Sequence, residues 1–180
     1  MRSSVPGTRI RREYATDPLE ILFVREVMRT NVVALPAATR IDDLAASLRN
    51  GESDSRGQRL YPVLDENGGL SGVLTRNDVQ GLLAARSSIE HPNRLNETVK
   101  SDVVVAYPDE PLRAVMYRMA ETGLTRFPVV ERESGRRLQG MIGLRDMLKA
   151  TQRHLEEERH RERVLRTHLL RPFRRSHSPD

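Results

Sequence analysis

The sequence predicts an α+β fold made of two similar units, each ordered as strand, helix, hairpin and helix. The first observation is a repeated motif: LYPV at 60–63 leads to GVLTRND at 72–78, and RFPV at 126–129 leads to GMIGLRD at 140–146. The second is that apolar residues at helical spacing precede each copy. Because each unit has too few strands to cover its own sheet, we expect the two to pack face to face with pseudo-two-fold symmetry.

The composition excludes several classes of protein. The chain has 180 residues and no cysteine, which rules out disulfides, thiolate metal sites and cysteine nucleophiles. No apolar run approaches the roughly 20 residues that cross a bilayer, and no signal peptide opens the sequence. We therefore expect a soluble, cytoplasmic protein with a folded middle.

The first unit is predicted to begin with a helix and a short strand. Asp17 has the position of an N-cap and Pro18 that of the first residue of a helix, which apolar side chains continue to about Met28. Residues 32–35 are predicted as a strand that the following proline ends. Residues 40–49 have the apolar spacing of an amphipathic helix.

A hairpin and a second helix are predicted to complete the first unit. Strands at 60–64 and 70–74 flank the sequence DENGG at 65–69, whose residue types favour a tight turn. A helix is predicted from Thr75 to about Ala85.

The second unit is predicted to repeat this order. Its elements are a strand at 103–106, a helix at 112–119, and hairpin strands at 126–130 and 138–142 about a turn at 133–135. A last helix begins near Gly143 and is expected to run through an almost wholly charged stretch to about Leu170. The predicted parts of the chain are a flexible basic N-terminus at 1–16, the first repeat with its leading helix at 17–86, a linker at 87–97, the second repeat at 98–149, and a charged helix with a basic tail at 150–180.

The two motifs that follow the hairpins are candidate sites. Thr75 and Asp78 stand where a strand becomes a helix, which is the pattern of a helix cap, and Gly143 with Asp146 fits the same pattern. The same geometry can bind a ligand, because the free N–H groups of a helix start favour phosphate and a carboxylate one turn later can accept both hydroxyls of a ribose. Capping would not require two such turns in duplicated surroundings, and both interpretations stay open.

On these motifs, the span from about Val27 to Lys149 resembles a tandem pair of cystathionine β-synthase (CBS) domains, a Bateman module. The matching features are the doubled x-Pro-Val strand and the doubled Gly…Asp turn. The resemblance implies a regulatory module, not an enzyme, that binds an adenosine nucleotide (AMP, ADP or ATP) in clefts between the repeats and modulates a partner. No further cofactor is implied.

The resemblance also implies roles for particular residues. Thr75 would contact phosphate and Asp78 would hold the ribose, whereas in the second repeat only Asp146 carries over, because Gly143 replaces the hydroxyl residue. The first cleft is therefore predicted to be the stronger site. Arg59 and Arg145 are candidates to neutralise a polyphosphate. By position, the residues that would line the adenine pockets are Val33, Gln58, Arg59, Val105, Leu124 and Thr125.

The flanking segments resemble the cytosolic tail of bacterial chloride channel family proteins. This resemblance rests on DPLEILFVREVM at 17–28 and on the charged last helix. It implies a membrane channel or transporter as partner, and the paired repeats are expected to form a homodimer.

Two other functions stay open at this level. One is a dimerisation or interaction module that binds no ligand and acts through its charged C-terminal helix and basic arms. The other is nucleic-acid binding by the same arms, which carry much of the formal charge of +5. Aromatic residues make up only 4% of the chain, so stacking platforms are scarce and nucleic acid is not expected as a partner. Phosphate-binding loops, metalloprotease motifs and nucleophile elbows are absent from the sequence, so we expect neither catalysis nor a metal site.

Overall fold

A computed structural model describes residues 17–49, 57–85, 94–99, 101–133 and 136–169. The predicted basic N-terminus, most of the loop after residue 49, most of the linker, part of the turn at 133–135 and the tail after residue 169 lie outside the described residues.

The elements occur in the predicted order, and the α+β class with its doubled hairpin is confirmed. The helices are α1 Pro18–Ile21, α2 Val24–Val27, α3 Ile41–Arg49, α4 Arg76–Ala85, a 3-10 helix Leu95–Glu97, α5 Leu112–Thr122 and α6 Leu144–Leu169. The strands are β1 Leu35–Pro36, β2 Leu60–Leu64, β3 Leu70–Thr75, β4 Arg126–Val130 and β5 Leu138–Gly143.

The first repeat forms a three-stranded sheet in the order β1-β2-β3. β1 pairs parallel with β2, so that Leu35 lies opposite Val63, and β2 pairs antiparallel with β3. In the turn between β2 and β3, the Asp65 carboxylate accepts hydrogen bonds from the amides of Asn67 and Gly69, each at 2.8 Å. This is the local hydrogen bonding for which aspartate is favoured in turns.

The second repeat forms the antiparallel pair β4-β5. Two single bridges extend it: Ala106 pairs parallel with Val129, and Arg29, which follows α2, pairs antiparallel with Met141. The hydrogen bonds between Arg29 and Met141 run in both directions, at 2.8 and 2.9 Å. A residue from the leading segment of the first repeat therefore continues the sheet of the second.

The first strand of each repeat is shorter than predicted. The prediction at 32–35 is wrong in extent, because the strand is Leu35–Pro36 and includes the proline that was expected to end it. The prediction at 103–106 is also wrong, since Ala106 alone pairs with a neighbouring strand. Strand assignment needs a paired backbone, and side chains bind the backbone in the rest of these segments, at Val33 and Val105.

The predicted leading helix is divided into α1 and α2. Its start is confirmed, because the Asp17 side chain accepts a hydrogen bond from the Leu19 amide at 3.0 Å. Between α1 and α2, the Leu22 carbonyl accepts from the Leu112 amide and the Val24 amide donates to the Glu110 carbonyl, both at 2.9 Å. These long-range bonds replace helical ones, so a single helix to Met28 is not formed.

Two hydrophobic clusters form the core, and each includes a segment from outside its own repeat. Val24 is fully buried among β4, β5, α5 and α6, with Leu19, Leu22 and Met28 packed beside it. Leu95, from the 3-10 helix, is fully buried in the cluster of the first repeat. The predicted division of the chain groups the leading helix with the first repeat, whereas its apolar side chains pack into the second.

Helix α6 runs from the second motif to Leu169, in agreement with the predicted end near Leu170. Many of its side chains are charged, and the His154 imidazole lies 3.3 Å from the Glu158 carboxylate one turn later. Within the part of the chain that the structure describes, no helix combines the length and the apolarity needed to cross a membrane.

Candidate functional site

The first motif is a closed capping box at the junction of β3 and α4. The Thr75 hydroxyl donates to Asp78 Oδ2 at 2.7 Å, the Thr75 amide donates to the same oxygen at 2.8 Å, and the Asp78 amide donates to Thr75 Oγ1 at 3.1 Å. Both residues are exposed. Each side chain therefore serves the helix start, and their predicted contacts with phosphate and ribose stay predictions.

The second motif has the same carboxylate contact without the hydroxyl. The Gly143 amide donates to Asp146 Oδ2 at 3.1 Å. Arg29 Nε donates to the same oxygen at 3.2 Å, so the segment that bridges to β5 also brings a cation to the motif. Sequence reasoning missed Arg29, because it lies far from Asp146 along the chain and nothing local predicts their contact.

A cavity of about 640 Å³ opens beside the second motif. Its wall includes the start of α6 and residues of both repeats, and we call it the cation-lined cavity after its basic members. These are Arg29, Arg59, Arg126, Arg145 and Lys149, and Asp146 is the acidic residue among the lining residues; Gly57, Thr125, Gly143, Leu144 and Leu148 complete the wall.

The cavity brings together several of the predicted site residues. Arg59 and Arg145, the two candidates for polyphosphate binding, both line it, as does Thr125. Lys149 and Arg126 were missed, and the useful signal was the concentration of basic residues around the second motif. With Asp146 already paired to Arg29, the cavity keeps a strong excess of positive charge, which is the field that an anionic ligand requires.

Of the residues predicted to line the adenine pockets, Arg59 and Thr125 belong to this wall, whereas the other four do not. Leu124 is 48% exposed, and neither it nor Val105 lines the cavity. The Val105 carbonyl accepts a hydrogen bond from Arg118 at 2.8 Å, and the Glu110 carboxylate holds Arg118 through two hydrogen bonds, at 2.7 and 3.0 Å. These bonds to Glu110 raise the pKa of the Arg118 guanidinium, and the pair was not predicted.

In the first repeat, Val33 and Gln58 do lie in contact. The Gln58 side-chain amide hydrogen-bonds the backbone of Val33 at both its N–H and its C=O. The Arg59 carbonyl accepts from the Arg76 amide at 3.0 Å, which fixes the backbone of Arg59 at the start of α4. Among the described residues, no group of three or more histidine, aspartate or glutamate side chains could hold a metal ion.

Thr75→Gly should lower the free energy of unfolding by about 0.3–0.5 kcal/mol, because Asp78 loses its hydroxyl partner and α4 loses an N-cap acceptor. Urea denaturation measures the change. Gly143→Ser is the reciprocal variant: a Cβ at Gly143 would crowd Asp146 Oδ2 at 3.2 Å, so the flexible Asp146 side chain must shift slightly before the serine hydroxyl can restore the missing contact. It should be neutral or slightly stabilising. A larger loss for Gly143→Ser than for Thr75→Gly would contradict the capping role.

Comparison with known proteins identifies the family. The family model of the CBS domain matches residues 24–85 and 96–153, which together are more than half of the chain. A homoserine O-acetyltransferase of Methanococcoides burtonii is 32% identical over 137 residues, which cover 72% of this chain and 27% of that protein. The chain thus spans about a quarter of the length of this curated relative.

Solved structures share the same architecture. The cytosolic domain of the Mg²⁺ channel MgtE in complex with ATP has a TM-score of 0.56 and 28% identity, covering 68% of this chain and 46% of that one. CBSX2 in complex with AMP has a TM-score of 0.57 at 22% identity, covering 73% of this chain and 96% of that one, a likeness of fold. Because the family model matches both repeats, this chain belongs to the CBS domain family and carries the domain as a tandem pair.

Proposed function

We propose that this chain is a regulatory module that binds an adenosine polyphosphate, with the phosphates in the cation-lined cavity. The observation that carries the proposal is the charge of the cavity wall, where five basic side chains stand against Asp146. Arg29 and Asp146 neutralise each other, which leaves Arg59, Arg126, Arg145 and Lys149 for an anion. A cavity of about 640 Å³ also falls within the range of roughly 300–1,000 Å³ that small-molecule sites occupy.

The second motif is placed to orient such a ligand. The Leu144 amide already donates to the Thr125 carbonyl at 3.0 Å, so the amides that follow it in the first turn of α6 are the ones that would favour phosphate oxygens. Gly143 lets a ligand approach the backbone without a side chain between them. Among the described residues, the hydrogen bonds that Asp146 accepts from Arg29 and Gly143 both fall on Oδ2, so in this proposal Oδ1 accepts the ribose hydroxyls. Support for an adenosine nucleotide comes from the related cytosolic domain of MgtE, whose structure contains ATP.

Isothermal titration calorimetry with ATP, ADP, AMP and adenosine tests this proposal. ATP carries about twice the negative charge of AMP, so we expect affinity to fall from ATP through AMP to adenosine, with ATP at least about tenfold tighter than AMP. Affinity for ATP should also decrease as salt is added. Equal affinities for ATP and adenosine would contradict a role for the cavity charges.

Arg145→Glu and Arg159→Glu form a matched pair for the same titration. Both lie on α6 and both change the net charge equally, but only Arg145 lines the cavity. We expect Arg145→Glu to weaken ATP about tenfold or more and to change adenosine binding little, whereas Arg159→Glu should leave both nearly unchanged. An equal loss in the two variants would assign the effect to overall charge.

We further infer that the module passes the nucleotide signal to a membrane transport protein at its cytoplasmic face, and that it acts as a homodimer. The 28% identity to the cytosolic domain of a Mg²⁺ channel supports a transporter as partner, and a chloride channel family protein is a second candidate of the same kind. Ion flux through each candidate, reconstituted in vesicles with and without this chain and ATP, separates them. Sedimentation velocity tests whether the chain is a dimer. An ion flux that is the same with and without this chain would contradict the proposed partnership.

A further inference from the structure

The Gln58 side chain binds both the N–H and the C=O of Val33, a residue that the resemblance predicts to line the adenine pocket of the first cleft. Its Oε1 accepts from the Val33 amide at 3.0 Å, and its Nε2 donates to the Val33 carbonyl at 2.7 Å and to the Leu60 carbonyl at 2.9 Å. The orientation of the amide group is fixed by this set, because two carbonyls require a donor at Nε2 and one N–H requires an acceptor at Oε1. Tyr61, buried beside it, donates to the Gln58 carbonyl at 3.3 Å.

The pattern that Gln58 presents is also the pattern of an adenine ring. A carboxamide offers an acceptor and a donor side by side, and adenine offers the same pair through N1 and the N6 amino group. The N–H and C=O of a single residue can bind one such edge at a time. A base that approached the Val33 backbone would therefore have to displace the Gln58 side chain.

The second repeat lacks this arrangement. Leu124 holds the position that Gln58 holds in the first repeat, four residues before the proline of the hairpin strand. Its side chain has no polar atom and is 48% exposed. The carbonyl of Val105, the counterpart of Val33, is bound from helix α5 by Arg118. The two repeats thus differ at this position: in the first, the Gln58 side chain binds the backbone groups that an adenine base would bind, and in the second, Leu124 cannot.

We propose that Gln58 closes the first cleft to an adenine base, so that the chain binds one nucleotide, at the cation-lined cavity. The inference rests on the proposed function for its ligand, and it determines which cleft takes that ligand. It also reverses the expectation that Thr75 makes the first cleft the stronger site. Closure by three hydrogen bonds should weaken the apparent affinity of the first cleft by about 30-fold or more relative to an open one.

Calorimetry and native mass spectrometry with ATP test the stoichiometry in the wild type and in Gln58→Leu, which installs the residue type of the second repeat. The wild type should bind about one ATP per chain and Gln58→Leu about two, the additional site having an affinity raised about 30-fold. Gln80→Leu, the same substitution at an exposed position of α4, should behave as the wild type. Circular dichroism verifies that each variant is folded.

Gln58→Glu provides a second variant, because a carboxylate keeps the acceptor but offers no donor to the Val33 and Leu60 carbonyls. It should open the cleft even if Gln58→Leu fails to fold. Two ATP molecules bound per wild-type chain, or one in a folded Gln58 variant, would overturn the inference and leave the cation-lined cavity standing. A third outcome is that the wild type binds no ATP and Gln58→Leu binds one. It would contradict the cation-lined cavity as the nucleotide site and support the role of Gln58.

Discussion

Gly140→Ala should lower the free energy of unfolding by about 2–3 kcal/mol, which for a chain of this size corresponds to a fall in the melting temperature of about 5–10 °C. Gly140 is buried in β5, and a Cβ there would collide with the carbonyl oxygen of Arg29. That atom belongs to the backbone, so no side-chain rotation relieves the collision. The leading segment would have to leave β5, breaking its hydrogen bonds to Met141 and removing Arg29 from Asp146.

Gly81→Ala is the matched control for this prediction. Gly81 lies inside α4, and a Cβ there would meet no heavy atom within 4 Å. Alanine should therefore stabilise the helix by about 0.5–1 kcal/mol. Thermal and urea denaturation of both variants provide the comparison, and limited proteolysis between residues 17 and 29 reports release of the leading segment. An unchanged stability for Gly140→Ala would mean that Arg29 does not approach β5 as closely as described.

The sequence was sufficient for elements whose signals are local. The hairpin β2-β3 was predicted almost to the residue, because alternating apolar residues and the Asp65 turn specify it without reference to distant parts of the chain. Helix α5 follows from apolar spacing, and the start of α4 follows from the cap pattern of Thr75 and Asp78. The doubled motif then predicted two similar repeats, since similar local signals in the same order favour the same order of elements.

Elements that depend on distant partners were predicted less well. Residues 103–106 have the β-branched composition of a strand, but within this segment only Ala106 pairs with a neighbouring strand, and the Val105 carbonyl is bound by the Arg118 side chain instead. The leading helix divides at Leu22 for a similar reason, its backbone pairing with the segment before α5. The local sequence of 103–106 does not indicate a contact with Arg118, and that of the leading helix does not indicate pairing with the segment before α5.

The candidate site shows the same division. Arg59 and Arg145 could be selected because they adjoin the motifs, and the cavity includes both. Arg29 could not be selected, since its contact with Asp146 depends on how the leading segment docks. The hydrogen bonds between the Gln58 side chain and the Val33 backbone were also not predictable. They form because Val33 lies outside β1, whereas the sequence predicted Val33 within that strand.

Glu110→Ala should lower the free energy of unfolding by about 2 kcal/mol. The Glu110 carboxylate binds both terminal nitrogens of Arg118 and also accepts from the Tyr107 amide at 3.1 Å. Removing it leaves a partly buried guanidinium and a backbone N–H without their acceptor, which costs more than the contacts themselves contribute. The Arg118 side chain is 29% exposed, so water recovers part of the loss and the effect stays below the roughly 3–5 kcal/mol of a fully buried pair.

A double-mutant cycle of Glu110→Ala and Arg118→Ala separates the energy of the Glu110–Arg118 interaction from the effects of removing each side chain alone. Urea denaturation of the wild type, the two single variants and the double variant should give a coupling energy of about 1–2 kcal/mol. The pair Asp109 and Arg132 serves as the exposed control, since its side chains are 61% and 52% exposed and 3.4 Å apart. Asp109→Ala should cost less than about 1 kcal/mol, because an exposed ion pair is solvated in either state. Because Arg118 also holds the Val105 carbonyl, Glu110→Ala should loosen the first segment of the second repeat, seen as faster amide hydrogen exchange at 103–106. Equal losses in Glu110→Ala and Asp109→Ala would show that Glu110 is only a surface charge.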